Sequence, residues 1–147
     1  MAVQIYKSEW EFDQILCLAR GGLRIGDVLS RIHNKPLAIL SVSSYGGKDF
    51  QERGKLAIAH SITMTTATLG KKILLVDDLV DSGVTLVRVI EWLKQHEEFA
   101  ITDMRSAVLW FKGCSVAKPD YHVDFLPDNS WIHQPFEKYE KLNPSEL

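Results

Sequence analysis

The stretch from Lys72 to Thr85 constrains the fold of this chain more tightly than any other. Lys72-Ile73-Leu74-Leu75-Val76 is a short apolar run of strand length, and such a run reads as a strand covered on both faces. Two adjacent carboxylates, Asp77 and Asp78, follow at once, and a third, Asp81, comes three residues later. Ser82-Gly83-Val84-Thr85 then leads into residues 85–96, where Leu86, Val89, Ile90 and Leu93 share one helical face. A buried strand that empties into a polar, glycine-bearing loop and then a helix is half of a parallel crossover unit.

The rest of the chain reads in the same terms. Residues 14–18 form a buried strand that ends at Ala19-Arg20-Gly21-Gly22. Residues 23–32 carry Leu23, Ile25, Val28, Leu29 and Ile32 at helical spacing despite Gly26. Residues 37–42 are continuously apolar, as an interior strand is. A loop is expected from Ser43 to Asp49, a hairpin arm over 56–63, and the threonine-rich 64–71 resists assignment. Residues 104–111 and 121–126 read as two further strands. From Pro127 the tail is rich in aromatics and proline. At the start, residues 2–7 supply only a turn or two of helix, too short to stand alone. The order predicts an α/β fold: a mostly parallel central sheet flanked by helices, in one domain over 1–147.

The chain has 147 residues, enough for a core that buries roughly 70% of the unfolded surface without disulfides. Hydrophobic residues at 46% against 24% charged are a globular balance. Lys plus Arg number 17 and Asp plus Glu 19, a net charge of −2, so no bulk field favours nucleic acid or an anionic membrane. No apolar run approaches the ~20 residues of a spanning helix. The N-terminus lacks the apolar stretch of a signal peptide, and a cytoplasmic address is expected. Cys17 and Cys114 form no CxxC pair, which argues against a zinc knuckle or disulfide framework, and both are expected to be buried thiols.

The loop after residue 76 states its own chemistry. Ligands of open α/β sheets bind outside the carboxyl ends of the strands. Backbone N–H groups from about Ser82 to Thr85, with the helix N-terminus behind them, suit an anion. The Ser82 and Thr85 hydroxyls add donors, and Gly83 lets the backbone close around a phosphate. Asp77 and Asp78 would repel that phosphate and instead suit neutral hydroxyls or Mg²⁺. A phosphate with a vicinal diol beside it, as in a ribose 5-phosphate, meets both demands. Neither GxxxxGK[ST] nor GxGxxG occurs.

The segment Ile73 to Thr85 resembles the signature of the type I phosphoribosyltransferases: strand, acidic pair, third acid, then Ser/Thr-Gly-x-Thr. Ala19-Arg20-Gly21-Gly22-Leu23, Ser43-Ser44-Tyr45, the Lys112 region and Trp131-Ile132-His133-Gln134-Pro135 are similar to the bacterial xanthine-guanine members. The resemblance spans roughly residues 3 to 137. It implies transfer of a 5-phosphoribosyl group from phosphoribosyl pyrophosphate to a 6-oxopurine, with release of pyrophosphate, in purine salvage.

Residue by residue, the resemblance implies that Asp77 and Asp78 hold the ribose hydroxyls, with Asp78 also near Mg²⁺. Asp81, Ser82, Gly83, Val84 and Thr85 would hold the 5-phosphate, and Asp81 would also manage the proton at N7 of the purine. Arg20 and Gly21 would belong to a pyrophosphate loop entered by a cis peptide at Ala19–Arg20, with Arg20 acting in catalysis. Lys112 would donate to the 6-oxo group, Trp131 would stack on the base, and the Ile132 backbone would meet its edge in a small C-terminal base-binding hood. Residues 45–57 would be a lid. The family opens on a full helix, here shortened, and a homo-oligomer is expected. Two other readings keep the donor site: a pyrimidine or other base as acceptor, or a non-catalytic regulator that binds the donor.

Taken without the resemblance, several of these residues have plainer readings. Lys112 would solvate a strand edge, and Trp131 would pack. His60 and His122 read as structural or surface residues, Trp110 and Phe111 as core. Asp124 and Asp128 are remote candidates for metal neighbours, and the role of His133 is open.

Overall fold

The computed structural model describes residues 1–45, 55–136, 139 and 142–146. Its helices are α1 (Ala2–Lys7), α2 (Leu23–His33) and α3 (Val84–Gln95). Its strands are β1 (Gln14–Ala19), β2 (Leu37–Tyr45), β3 (Lys55–Ile58), β4 (Thr63–Met64), β5 (Lys72–Val76), β6 (Leu79–Val80), β7 (Asp103–Lys112) and β8 (Tyr121–Leu126). They form one sheet. β2, β1, β5 and β7 lie side by side and parallel, β8 adds in parallel beyond β7, and β3 and β4 each run antiparallel to β2. The expected α/β class, with a mostly parallel sheet between helices, is what the chain adopts.

Strand alternation sorts the core into two layers. On one face Leu16, Leu18, Ile73 and Leu75 pack with Leu86, Val89 and Leu93 of α3. On the other Ile15, Cys17, Leu74 and Val76 pack with Leu29 of α2 and Ile5 of α1. The connection β1–α2–β2 steps along the sheet in one direction, and β5–α3–β7 steps in the other. Right-handed crossovers leading opposite ways must place their helices on opposite faces. The sheet therefore reverses between β1 and β5. The six-residue α1 is held by tertiary contacts: Ile5 is 1% exposed, and Ser8 Oγ lies 2.7 Å from the Tyr121 hydroxyl.

The structure revises several expectations. β2 continues through Ser43, Ser44 and Tyr45, which had read as loop, because β3 supplies a ladder for them (Ser43 opposite Ala57, Tyr45 opposite Lys55). The hairpin arm is thus Lys55–Ile58, and the middle of the expected lid lies outside the described residues. Cys17 is buried as expected, but Cys114 is exposed, since it sits in the turn after β7. Trp110 and Phe111 are half-buried, because β7 nears the sheet's carboxyl edge there, and Phe111 still packs against the core. β7 and β8 are parallel with no helix between them. β8 matches only the later half of β7 (Ala107 opposite Tyr121), so the return is short, and Asp120 pins it by accepting from the Ser106 amide and hydroxyl at 2.7 and 2.9 Å.

Candidate active site

The carboxyl ends of β1 and β5 meet at the point where the sheet reverses, the place where open α/β sheets take ligands. β1 delivers Arg20-Gly21-Gly22 there and β5 delivers Asp77-Asp78. The peptide Ala19–Arg20 is cis. Gly21 presses directly on the acidic pair: a Cβ there would lie 2.6 Å from Asp78 Cγ and 3.0 Å from Asp77 Oδ1. Only a residue without a side chain lets the two loops touch.

Asp77 keeps some surface exposure, but its carboxyl group is enclosed between Gly21, Gly22 and Asp78. It accepts the Asp78 amide at 2.9 Å. Burial pushes its pKa up to about 8, the neighbouring Asp78 charge adds to the rise, and the amide bond pulls the other way. Asp78 is anchored through its carbonyl, which accepts the Leu109 and Trp110 amides at 3.0 and 3.1 Å. Its Oδ2 receives Nε2 of Gln134 at 3.1 Å.

Beyond the pair, β6 carries the line of β5 onward along β7. Val76 stands opposite Ala107 and Val80 opposite Phe111, the same separation in sequence. One residue further, that register sets Asp81 beside Lys112. Their side chains meet, with Nζ 3.0 Å from Asp81 Oδ1, and Nζ also donates to Asn129 Oδ1 at 3.2 Å. The Lys112 side chain is 3% exposed and that of Asp81 54%. A lysine is buried this deeply only when its charge is paired. Its reading as an edge-solvating residue is therefore wrong.

Gly83 is the N-cap of α3 with φ +80°, the left-handed region open to glycine. A Cβ there would stand 2.8 Å from the Ala117 amide nitrogen. No side chain caps α3 in the usual manner, and no acid sits in its first turn. The Ser82 hydroxyl reaches only the Val84 amide, at 3.4 Å. The first turn thus presents N–H groups and a positive dipole end.

A cavity of about 1100 Å³ opens over these loops, lined by Arg20, Gly21, Arg24, Asp78, Ser41 and Phe136 among others. The predicted residues therefore fall into two groups. Arg20, Gly21 and Asp78 line the cavity, with Asp77 enclosed behind Gly21. Asp81 and Lys112 form a second cluster by direct contact, with Asn129 accepting from Lys112, next in the chain to the 82–85 turn. Trp131 is 71% exposed, and Ile132 is half-buried next to it. His133 and His60 are exposed, and His122 packs edge-on against Phe111. Arg24, Asn129, Gln134 and Phe136 were not anticipated as site residues. Gln134 lay within a quoted segment, but nothing local marks the other three.

A model of the phosphoribosyl transferase domain matches residues 1–141. The chain belongs to that family. A xanthine-guanine phosphoribosyltransferase of Idiomarina loihiensis is 28% identical over 130 residues, 88% of this chain and 73% of that protein. Among solved structures, a purine phosphoribosyltransferase from Pyrococcus horikoshii is 31% identical, with a TM-score of 0.71 over 92% of this chain and 83% of that one. The Helicobacter pylori xanthine-guanine-hypoxanthine phosphoribosyltransferase is 25% identical, with a TM-score of 0.68 over 86% and 79%. The resemblance first carried by residues 73–85 thus extends over the whole fold of this phosphoribosyltransferase-family chain. Among the described residues no helix is long and apolar enough to cross a membrane.

Proposed function

We propose that this protein transfers the 5-phosphoribosyl group of phosphoribosyl pyrophosphate to a 6-oxopurine, releasing pyrophosphate. One observation carries the choice of base. Lys112 Nζ and Asp81 Oδ1 stand 3.0 Å apart, a donor beside an acceptor. A 6-oxopurine presents the complementary edge, with its O6 as acceptor and its N7–H as donor. A 6-aminopurine would set an amino group against the Lys112 ammonium. The names of the relatives above support the same substrate class.

In this reading the α3 amides and the Ser82 and Thr85 hydroxyls hold the 5-phosphate, and the Asp77–Asp78 pair holds the ribose diol. Arg20 and the Gly21 backbone face the pyrophosphate. The bond from C1 to the pyrophosphate oxygen breaks, and a bond from C1 to a ring nitrogen of the base forms. Positive charge on the sugar is favoured by the acidic pair, and the growing charge on the leaving group by Arg20. Asp81 takes the proton that the base gives up. Trp131 offers a face for the ring and the Ile132 backbone an edge contact. Much of the acceleration comes from holding the two reactants in register.

Mg²⁺ fits this site as a substrate-borne ion. Among the described residues no group of three or more His, Cys, Asp or Glu side chains could cage a metal. Mg²⁺ is commonly held through one or two carboxylates, with substrate phosphates and water completing its shell. Asp78 is the residue that would hold it, and the ion would neutralise charge on the departing pyrophosphate.

The test supplies the donor and Mg²⁺ with guanine, xanthine, hypoxanthine, adenine, uracil or orotate in turn and follows pyrophosphate release. Release with the 6-oxopurines alone is expected. Release with adenine or a pyrimidine would refute the base assignment, and donor binding without release would favour a regulator.

A further inference from the structure

The C-terminal tail returns to the donor cavity at two points. Gln134 donates from Nε2 to Asp78 Oδ2 at 3.1 Å. The Arg24 guanidinium carbon lies 4.5 Å from the centre of the Phe136 ring. Phe136 and Tyr139 line the cavity along with Arg20, Gly21 and Asp78. Arg24 belongs to the first turn of α2, directly after the Arg20-Gly21-Gly22 loop. Trp131 and Ile132, the residues that meet the base in the reading above, stand only a few positions before the two anchors.

We propose that Arg24 is a positioning residue for the acceptor base, holding the tail by the Phe136 ring so that Trp131 and Ile132 are set in place before the base arrives. The proposal rests on the transferase reading. Its physics is pre-organisation. A tail already fixed at Phe136 and Gln134 gives up little freedom when a ring docks on Trp131. A tail released at Phe136 must be ordered by the base itself, and that cost appears in base binding. Chemistry at C1 proceeds from the same bound complex in both cases. A cation over an aromatic ring at an exposed site shifts such a balance by about two- to five-fold.

The experiment measures steady-state kinetics with each substrate varied in turn. Arg24→Ala should raise KM for guanine ~2- to 5-fold and leave kcat and donor KM within about two-fold. Arg24→Lys keeps a cation over the ring and should return base KM close to the parent value. Phe136→Ala should match Arg24→Ala, and the double variant should be no worse than either single one. A rise in donor KM instead, with Phe136→Ala silent, would overturn the proposal and make Arg24 a pyrophosphate ligand.

Amide hydrogen exchange on the full chain without substrates gives a readout independent of turnover. Residues 131–136 should exchange faster in Arg24→Ala and Phe136→Ala, while β5 and β7 amides stay as protected as in the parent. Equal exchange would overturn the tether even if the transferase activity were real. A parent chain that turned over no base would sink the transferase reading alone, and exchange would still decide the tether.

Discussion

Replacing Asp77 by Asn should make the folded protein more stable at alkaline pH and leave it nearly unchanged at acid pH. The Asp77 carboxyl is raised from 3.8 to about 8 by burial and by Asp78. Below about pH 4 the folded and unfolded chains both carry the proton, and the substitution removes no charge. As pH climbs past that value the unfolded chain releases its proton while the folded chain keeps it. Folding then loses ground with every unit, up to about pH 8, where both states are ionised.

A shift of about four units at roughly 1.4 kcal/mol each sets a ceiling of ~6 kcal/mol. Asp77 keeps some exposure to the cavity, and local relaxation absorbs part of the cost, so about 2–3 kcal/mol is the expected gain at pH 8–9. Asn keeps an oxygen for the Asp78 amide, so a lost hydrogen bond should not mask the effect. The assay is urea unfolding of parent and variant at unit steps from pH 4 to pH 9, read as a difference so that other titrations cancel. The difference should grow steadily from about pH 4 to about pH 8 and level off beyond it. A pH-independent difference, or one that shrinks towards pH 9, would refute the claim that Asp77 is held against ionisation.

Asp81→Asn should lower turnover by ~10²-fold or more while donor affinity largely survives, as loss of proton transfer predicts; unchanged turnover in a kcat assay would remove Asp81 from the mechanism. Lys112→Ala should raise KM for the base far more than KM for the donor, and equal losses would place Lys112 elsewhere. Chelation of divalent metal should stop pyrophosphate release without lowering the urea midpoint, because among the described residues no cluster of ligands builds the ion into the fold. A maleimide should label the exposed Cys114 in the native protein and spare Cys17, whose thiol burial pushes up to about 11. Intact-mass analysis should show one adduct when folded and two in urea.

The parts of this fold that were legible in the sequence are those whose burial is declared by near neighbours. β1 and β5 carry unbroken apolar runs (Ile15–Leu18 and Ile73–Val76), and α2 and α3 repeat at helical spacing, so local pattern located all four. The parts that were not legible depend on partners distant in sequence. Ser43 to Tyr45 look like loop residues until β3 is laid beside them. Arg24 and Phe136 carry no local sign of each other across the length of the chain.

Lys112 shows the difference most clearly. A lysine closing a strand reads as a solvent contact, and by its own neighbourhood that reading is reasonable. It fails because the register that joins β5 and β6 to β7 runs on by one residue and sets a carboxylate against the ammonium. The pair is therefore a product of strand register before it is a product of side-chain choice. A one-residue slip of β6 against β7 would bury the Lys112 charge without Asp81 and turn Asp81 towards the opposite face of the sheet. The same slip would break the bonds from the Leu109 and Trp110 amides to the Asp78 carbonyl, which hold the acidic pair in place. The Asp81–Lys112 pair and the Asp77–Asp78 pair are thus fixed by one ladder, so, if the proposed reading holds, a change that shifts β6 should damage donor and acceptor binding together.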